Sequence, residues 1–445
     1  TNEIVLSEFH DSIFVETGGA NLKEAYLKAS ERFFPPSGKL PDLLLFKRPQ
    51  YNTWIELIYD QNQRDILKYA RDIVDNGFPP GVLMIDDNWA PYYGKFSFRK
   101  DRFPDAKGMI DELHALGFKV MLWVCPFISP DSEVSRDLLN KRMVLMSNEG
   151  NTHVTWSEAK IPSIINWWNG YSFVLDFSNP KAVEWFKSQL SSMVSEYGLD
   201  GFKFDAGYPE YYHEKAVSYK NITSNEHTRL WGLFGLDYPL NEYRAMWQRG
   251  NEPIVERLRD KFHTWSDLKK LVPHITVASL LGYTFSCPDM IGGGDYSSFI
   301  SGTKLDQELI VRSAQCHALM PMMQFSVAPW RVLDQEHLEA VKEAVAIRQS
   351  FVPEIIRLAE ISAKTGEPMV RNLEFDFPDQ GFEDCKDQFM LGENILVAPM
   401  LEKGNYRVVS FPKGIWKDKN GVVINGPVKK QFYVPLDELL WFKKD

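Results

Sequence analysis

Short apolar runs alternate with longer amphipathic stretches between positions 50 and 330 of the chain. Short runs bounded by turn residues read as strands, and stretches with a period near 3.6 residues read as helices. The predicted strands are 53–57, 81–86, 118–124, 173–177, 199–205, 254–259, 283–287 and 322–326, and the helices between them are 61–76, 106–116, 180–197, 266–281 and 306–319. This alternation predicts βαβ units and a parallel sheet.

Charged or aromatic residues follow most of the predicted strands. They are Asp86, Trp123, Asp205, Asp260 and Asp289. In a closed barrel the carboxyl ends of all strands share one rim, so these side chains would converge there. We therefore predict an α/β fold with a (β/α)8 TIM barrel over residues 49–365, rather than an open doubly wound sheet. We count seven or eight barrel strands among these runs, and we expect one further, unplaced strand within 213–252.

The pattern changes after a long predicted helix at 335–363. Short strands then follow one another with Gly and Pro turns and without helices, at 369–375, 388–391, 395–400, 406–411 and 430–434. This shift predicts a small all-β, sandwich-like C-terminal domain over 366–445. Residues 1–48 hold a strand candidate at 3–9 and a helix at 22–34, and we interpret them as a lead-in or the remnant of a β-sandwich domain.

Charge and composition narrow the classes of function. The 445 residues carry a net charge of -10, and Lys and Arg are scattered, so no basic surface for nucleic acid is expected. Aromatic residues make up 13% of the chain, which suits stacking on sugar rings as well as ordinary core packing. No apolar run reaches the roughly 20 residues that a membrane-spanning helix needs.

Cysteine and histidine spacing argues against metal and disulfide chemistry. Cys125, Cys287, Cys316 and Cys385 show no CxxC spacing, and the nine histidines form no His-x-His pair at a strand end. We therefore expect no cofactor and no metal. Thr1 opens a polar segment without a signal-peptide profile. A leader removed before Thr1 would make the protein periplasmic or secreted, so the compartment stays open.

The stretch 199–209 carries the main candidate for chemistry. It reads as a buried strand that stops at Asp205, because Gly207 and Pro209 do not continue a strand easily. Lys203 lies two residues earlier on the same face, where its charge would hold the Asp205 carboxylate ionised. The alternative is that Asp205 only caps the following turn.

Several motifs resemble the glycoside hydrolases of family 31. Residues 201–205, Gly-Phe-Lys-Phe-Asp, are similar to the family's nucleophile strand. Further matches follow in the family's order at 103–105, 113–120, 176–180, 288–293, 366–368, 387–392 and 397–399. The resemblance covers roughly residues 50 to 440, and each motif alone is weak. It implies a glycoside or oligosaccharide substrate.

The resemblance implies Asp205 as nucleophile and Asp260 as acid/base. Asp260 stands five residues before Trp265, which is the family's spacing. Retention of anomeric configuration would follow, with the two carboxyl groups about 5–5.5 Å apart and Asp260 protonated. Alternatively, Asp260 pairs with Arg259 or Lys261, and Asp267 is a reserve candidate.

Sugar-binding candidates follow from the predicted rim. Asp86 and Asp87 would accept hydrogen bonds from sugar hydroxyls, and Lys203 and Arg257 would donate. The remaining candidates are Trp54, Trp89 and Trp123 as ring-stacking walls, Asp289 at the far side, and Gln324 from the last strand. The plainer alternatives are core packing for each Trp and a turn-forming role for Asp289.

Departures from the family pattern bear on specificity. The last predicted strand, within 321–330, lacks the family's arginine and histidine, and the segment before Asp260 is short. Together with 280–293 and 324–326, this is similar to the divergent branch of α-galactosidases and myogenesis-regulating-glycosidase-like proteins, and favours α-D-galactosides. α-Glucosides, α-xylosides and a non-catalytic carbohydrate-binding role stay open. A separate N-terminal β-sandwich segment or a second copy of the chain is the expected protein partner.

Overall fold

A parallel barrel forms the centre of the computed structural model, which describes residues 17–300 and 303–445. Its strands are β1 Gln50–Asn52, β2 Val82–Ile85, β3 Lys119–Val124, β4 Gly201–Phe204, β5 Leu240–Tyr243, β6 Glu256–Arg257, β7 Ser286–Cys287 and β8 Gln324–Phe325. The order in the sheet is β7-β6-β5-β4-β3-β2-β1-β8, all parallel. A parallel bridge between Met290 and Gln324 links the ends. The predicted α/β barrel is confirmed.

Helices surround this barrel, and local signals set their ends. The longest of them in the barrel proper, Pro180–Tyr197, begins with Pro after the Asn179 cap and ends at Gly198 with φ of 82°. The other long helices are Leu22–Phe33, Gln63–Asp75, Ala106–Ala115, Glu133–Asn140, Ser224–Trp231, Leu271–Leu280, Gln307–Ala318 and Gln335–Thr365. Short ones are Leu44–Lys47, Trp54–Leu57, Trp265–Leu268, Pro329–Val332 and Leu373–Asp376.

Two strand predictions differ from the structure. The first barrel strand ends at Asn52, and Trp54–Leu57 is helical because Asn52 Oδ1 accepts from the Trp54 N–H. Strand Gly170–Val174 does not join the barrel but pairs antiparallel with Ile164–Trp167. The missing barrel strand is β5, inside the interval left open. Apolar alternation indicates a strand but not the sheet that it joins.

The connection between β3 and β4 builds two small antiparallel sheets. One contains Phe127–Ile128, Ile164–Trp167 and Gly170–Val174; the other contains Met146–Ser147, Ile161–Pro162 and Ala216–Val217. A hairpin joins Ile164–Trp167 to Gly170–Val174, with Trp168 and Asn169 at its tip. Parallel strands need long crossovers, and this one carries additional structure to the barrel rim.

A six-stranded antiparallel sheet forms the C-terminal region, which confirms the predicted all-β character. Its strands are β9 Val370–Arg371, β10 Phe389–Leu391, β11 Ile395–Ala398, β12 Tyr406–Lys417, β13 Val423–Tyr433 and β14 Leu440–Lys444, in the order β9-β10-β11-β14-β12-β13. Phe411, Trp416 and Phe442 lie in its core. The strand β14 was not predicted. The strand candidate at 3–9 lies outside the described residues.

No helix within residues 17–300 and 303–445 has both the length and the apolar character that a membrane crossing requires.

Arg348 ties the long helix Gln335–Thr365 to the barrel. Its side chain is fully buried and donates to the carbonyl oxygens of Phe46, Ala318, Met320 and Pro321 at 2.7 to 3.2 Å. These carbonyls precede β1 and β8. Burial lowers the pKa of Arg348 to about 10, so it stays charged at neutral pH.

Replacing Arg348 with Met should destabilise the protein by about 3–5 kcal/mol, because buried carbonyls lose their donors. Urea unfolding monitored by tryptophan fluorescence measures this loss. Arg331→Met is the matched control: Arg331 pairs with Glu56 near the surface, so we expect a loss of about 1 kcal/mol or less. Equal losses for the two variants would contradict the anchoring role.

Candidate active site

A cavity of about 420 Å³ opens at the carboxyl ends of the barrel strands. It is lined by most of the residues predicted to act on a substrate: Trp54, Asp86, Asp87, Trp123, Lys203, Asp205, Arg257 and Asp260. These residues come from five separate stretches of the chain, and the barrel closes them around one space. The predicted convergence at the rim is therefore present for this set.

Asp205 lies where β4 ends at the cavity. Its N–H donates to the Val124 carbonyl oxygen at 2.9 Å, which holds the backbone on the neighbouring strand β3. Its Oδ2 accepts from Trp123 Nε1 at 2.9 Å, and its Oδ1 accepts from the Ala206 N–H at 2.7 Å. The chain then turns away through Ala206 and Gly207, both with positive φ. A Cβ on Gly207 would come within 2.5 Å of the Trp231 ring, so only Gly fits.

The charges around Asp205 favour its ionised form. Burial raises the pKa of this carboxyl, but Lys203, Arg244 and Arg257 outweigh burial and leave the pKa below its ordinary value. Lys203 Nζ lies 3.9 Å from Asp205 Oδ2, and it lies closer, at 2.6 Å, to Asp86 Oδ2. The lysine therefore serves two carboxylates, of which the sequence indicated one.

Asp260 lies in the same cavity on the loop after β6. Its Oδ1 accepts from Arg257 Nη1 at 2.5 Å and from Arg244 Nη1 at 2.8 Å. Burial raises the pKa of Asp260, but the two arginines outweigh burial and lower it far below its ordinary range. The sequence argument required a protonated Asp260, whereas the two arginines favour its carboxylate form. Of the expected alternatives, Lys261 acts on Asp260 only through its charge, because its Nζ donates to the carbonyl oxygens of Arg259 and Pro288 instead.

Arg244 was missed by the sequence analysis. It follows β5, the strand that the hydrophobic pattern did not reveal, and its Nε donates to the Tyr208 hydroxyl at 3.1 Å. Inside a barrel, β5 carries Glu242 rather than an apolar side chain, so its period-two signal is weak. Charged residues at alternate positions 242 and 244 were the available signal.

Asp87 titrates differently from Asp205. Its Oδ2 accepts from the Tyr93 hydroxyl at 3.0 Å and from Asn169 Nδ2 at 2.7 Å. Burial, and next the charge of Asp86, raise the pKa of Asp87 to about 7. Asn169 Oδ1 also accepts from the Tyr59 hydroxyl, which fastens the hairpin tip to the rim. Asp87 can therefore accept or donate a hydrogen bond near neutral pH.

Aromatic side chains form the walls of the cavity. Trp54 packs edge-on against Tyr59 and Tyr296, with ring centroids 5.4 and 5.7 Å apart. Trp168, at the hairpin tip, is 47% exposed and packs near Tyr211. Exposed rings around a polar floor suit the apolar faces and hydroxyls of a sugar.

Three predicted substrate contacts do not line the cavity. Trp89 Nε1 donates to the Trp123 carbonyl oxygen, so the ring supports the wall from behind. Asp289 accepts from the Lys261 N–H and from Arg257 below the surface. Gln324 is fully buried and donates to Glu242. These side chains precede or underlie the rim, so they can act only through other residues.

Asp267, the reserve acid, is also outside the cavity. Its Oδ2 accepts from the Phe262 N–H at 2.7 Å, and Lys270 pairs with its Oδ1. Within the described residues no group of three or more His, Cys, Asp or Glu side chains could hold a metal ion. The groups available for chemistry in the cavity are therefore carboxylates, cations, tyrosines and indoles.

Two family models match the chain. Residues 48–257 match the glycosyl hydrolases family 31 TIM-barrel domain, and residues 366–444 match the glycosyl hydrolase family 31 C-terminal domain. The two matches correspond to most of the barrel and to the C-terminal sheet.

Full-length relatives are longer than this chain. The myogenesis-regulating glycosidase of Mus musculus is 32% identical over 95% of the chain and 60% of its own length. Alpha-glucosidase 2 of Bacillus thermoamyloliquefaciens is 24% identical over 82% of the chain and 48% of its own length. A Flavobacterium johnsoniae dextranase of family 31, complexed with glucose, superposes with a TM-score of 0.82 at 20% identity, covering 96% of this chain and 54% of the dextranase. The last similarity shows the fold.

Replacing Lys203 with Met should destabilise the protein by about 3–5 kcal/mol, because the Asp86 carboxylate would stay buried without its cation. The double variant Lys203→Met with Asp86→Asn should recover a large part of that loss. Urea unfolding of the wild type, both single variants and the double variant measures the coupling. Additive losses would contradict a buried pair.

Proposed function

The chain belongs to glycosyl hydrolase family 31, in a divergent branch of it, and on this premise we propose that it is a retaining, exo-acting α-glycosidase that cleaves terminal α-D-galactosides. One observation carries the proposal: Asp205, a carboxylate that its cationic neighbours keep ionised, lies on the same cavity as Asp260. Two carboxyl groups with different tasks are what glycoside cleavage needs.

In the first step of the proposed reaction, Asp205 attacks the anomeric carbon and the leaving oxygen takes a proton from Asp260. The carbon–oxygen bond to the leaving group breaks, and a glycosyl ester forms on Asp205. Asp260 needs a proton here, although Arg244 and Arg257 favour its anion. A bound sugar whose hydroxyls accept from Arg244 would weaken that preference, because it competes for the same guanidinium.

In the second step Asp260 acts as a base toward water, and its anion is the form that the arginines favour. Water attacks the glycosyl ester from the face that the leaving group left, so two inversions give net retention. The arginine pair therefore suits deglycosylation directly and glycosylation only once substrate is bound.

The size of the cavity supports exo action. About 420 Å³ lies at the small end of ligand pockets, and the hairpin tip with Trp168 stands at its mouth. A space of this size favours the terminal residue of a glycan over an internal one. The hydroxyls of that residue would meet Asp86, Asp87 and Lys203.

The preference for galactose rests on the resemblance to the divergent branch and on the absence of the arginine and histidine that the last strand carries in most of the family. The bacterial relative is named an alpha-glucosidase, so α-glucosides and α-xylosides are the rival substrates. A carbohydrate-binding protein without hydrolytic activity is the rival from a different class.

We expect release of nitrophenol from 4-nitrophenyl α-D-galactoside at least about tenfold faster in kcat/KM than from the α-D-glucoside or α-D-xyloside. Spectrophotometry at several pH values measures all three, with the corresponding β-galactoside as control. Preference for another α-glycoside would reject galactose but keep the glycosidase. Binding of galactose without any release would favour the non-catalytic rival.

Asp205→Asn should lose about 10⁴-fold in kcat, since the nucleophile is gone. A 5-fluoro-galactosyl fluoride should label Asp205 in the wild type, and peptide mass spectrometry identifies the residue. Label on a residue other than Asp205 would reject Asp205 as the nucleophile.

Asp260→Ala should lose about 10²–10⁴-fold in kcat/KM on an alkyl galactoside and far less on the 2,4-dinitrophenyl galactoside, whose leaving group needs no proton.

A further inference from the structure

Glu242 is a buried carboxylate beneath the cavity with no part in the reaction described above. It lies on β5, directly beside Lys203 of β4 in the register of the sheet, and its side chain is fully buried. Its Oε2 accepts from Gln324 Nε2 at 2.6 Å. Burying a carboxylate costs several kcal/mol unless cations offset it, so its partners need an explanation.

The closest cation is Arg257. Its Nε lies 3.5 Å from Glu242 Oε1, and both atoms are buried without a hydrogen-bond partner among the described residues. The same guanidinium meets Asp260 and Asp289 through Nη1, at 2.5 and 3.1 Å. One positive charge is therefore divided among three carboxylates, of which Asp260 alone lies on the cavity.

We propose that Glu242 is a positioning residue that draws part of the charge of Arg257 away from Asp260 and so lets Asp260 take up the proton that glycosylation requires. The inference rests on the proposed function. Coulomb interactions between buried charges extend over several ångströms with little screening, so a carboxylate under the floor still acts at the rim.

The groups packed against Glu242 set the sign of its effect. The charged or titratable ones are Lys203 on β4, Arg257 on β6, Arg244 directly after β5, and the Cys287 thiol on β7. Gln324 and Gln50 on β8 and β1 are uncharged. Burial leaves the pKa of Glu242 above its ordinary value, although Arg257 and Lys203 oppose this shift and favour the ionised form. Removing its charge therefore leaves the cations less compensated and lowers the proton affinity of the cavity carboxylates.

Glu242→Gln tests this inference, because an amide keeps the shape and can still accept from Gln324. In a bell-shaped profile of kcat against pH, which reports groups in the substrate complex, the basic limb reports the proton on Asp260. We expect this limb to move down by about one pH unit in the variant. At neutral pH, kcat/KM for an alkyl galactoside should fall about tenfold, and that for 2,4-dinitrophenyl galactoside should stay within about twofold.

Asp376→Asn is the matched control. Asp376 Oδ1 pairs with Nη1 of the buried Arg371 at 2.9 Å, its side chain is 9% exposed, and both residues lie in the C-terminal region, away from the cavity. We expect the basic limb and the leaving-group dependence of this variant to match the wild type. Thermal unfolding of both variants separates loss of fold from loss of charge.

An equal loss on both substrates with an unmoved basic limb would mean that Glu242 is only structural, and the inference would be overturned. Calorimetry adds a readout that needs no turnover. Glu242→Gln should weaken binding of the cationic 1-deoxygalactonojirimycin relative to neutral galactose by about fivefold, because the cavity becomes more positive. An unchanged ratio would also overturn the inference.

The two proposals fail in different ways. A wild-type protein that binds both sugars but hydrolyses none of the three α-glycosides rejects the proposed function, and the calorimetric ratio still decides the role of Glu242. A hydrolytic wild type with an unchanged Glu242→Gln variant keeps the function and rejects the inference. A protein that binds neither sugar rejects both.

Discussion

Charge balance beneath the barrel rim is the constraint on which the site depends. Asp86 and Asp205 are held in a low-dielectric interior, and a single buried lysine, Lys203, lies within 4 Å of both. Each carboxylate would otherwise protonate or destabilise the barrel, since an unpaired buried charge costs several kcal/mol. The ionised state of Asp205 therefore depends on the whole set of charged side chains around it, not on one residue.

The same charge balance favours one protonation state of Asp260 over the other. Two arginines stabilise its anion, which favours the base that we propose for the second step and opposes the acid that we propose for the first. Buried carboxylates that share Arg257, Asp289 at the side and Glu242 below, limit how much of that charge reaches the cavity. Acid and base roles on one residue require such a compromise, because both protonation states must be accessible in one cycle.

Long-range connections complete the site. The hairpin between β3 and β4 brings Asn169 into contact with Asp87 and Tyr59, which lie 82 and 110 positions away in the sequence. This contact raises an aromatic wall over the cavity and holds Asp87 among neutral donors. A rigid barrel carries the charges, and an added sheet shapes access to them.

The sequence by itself determined the alternation of strands and helices, the change to an all-β region, and the position of Asp205 at a strand end, because local periodicity and turn residues encode these features. It also indicated eight of the residues that line the cavity. It could not reveal β5, Arg244 or the hairpin anchor, since inward-facing charges erase the apolar signal. Only the closed barrel decided which carboxylates share which cations. It buries Gln324 and Asp289 outside the cavity and places two arginines beside Asp260. Electrostatic partners depend on proximity in space, here between strands that are distant in the chain.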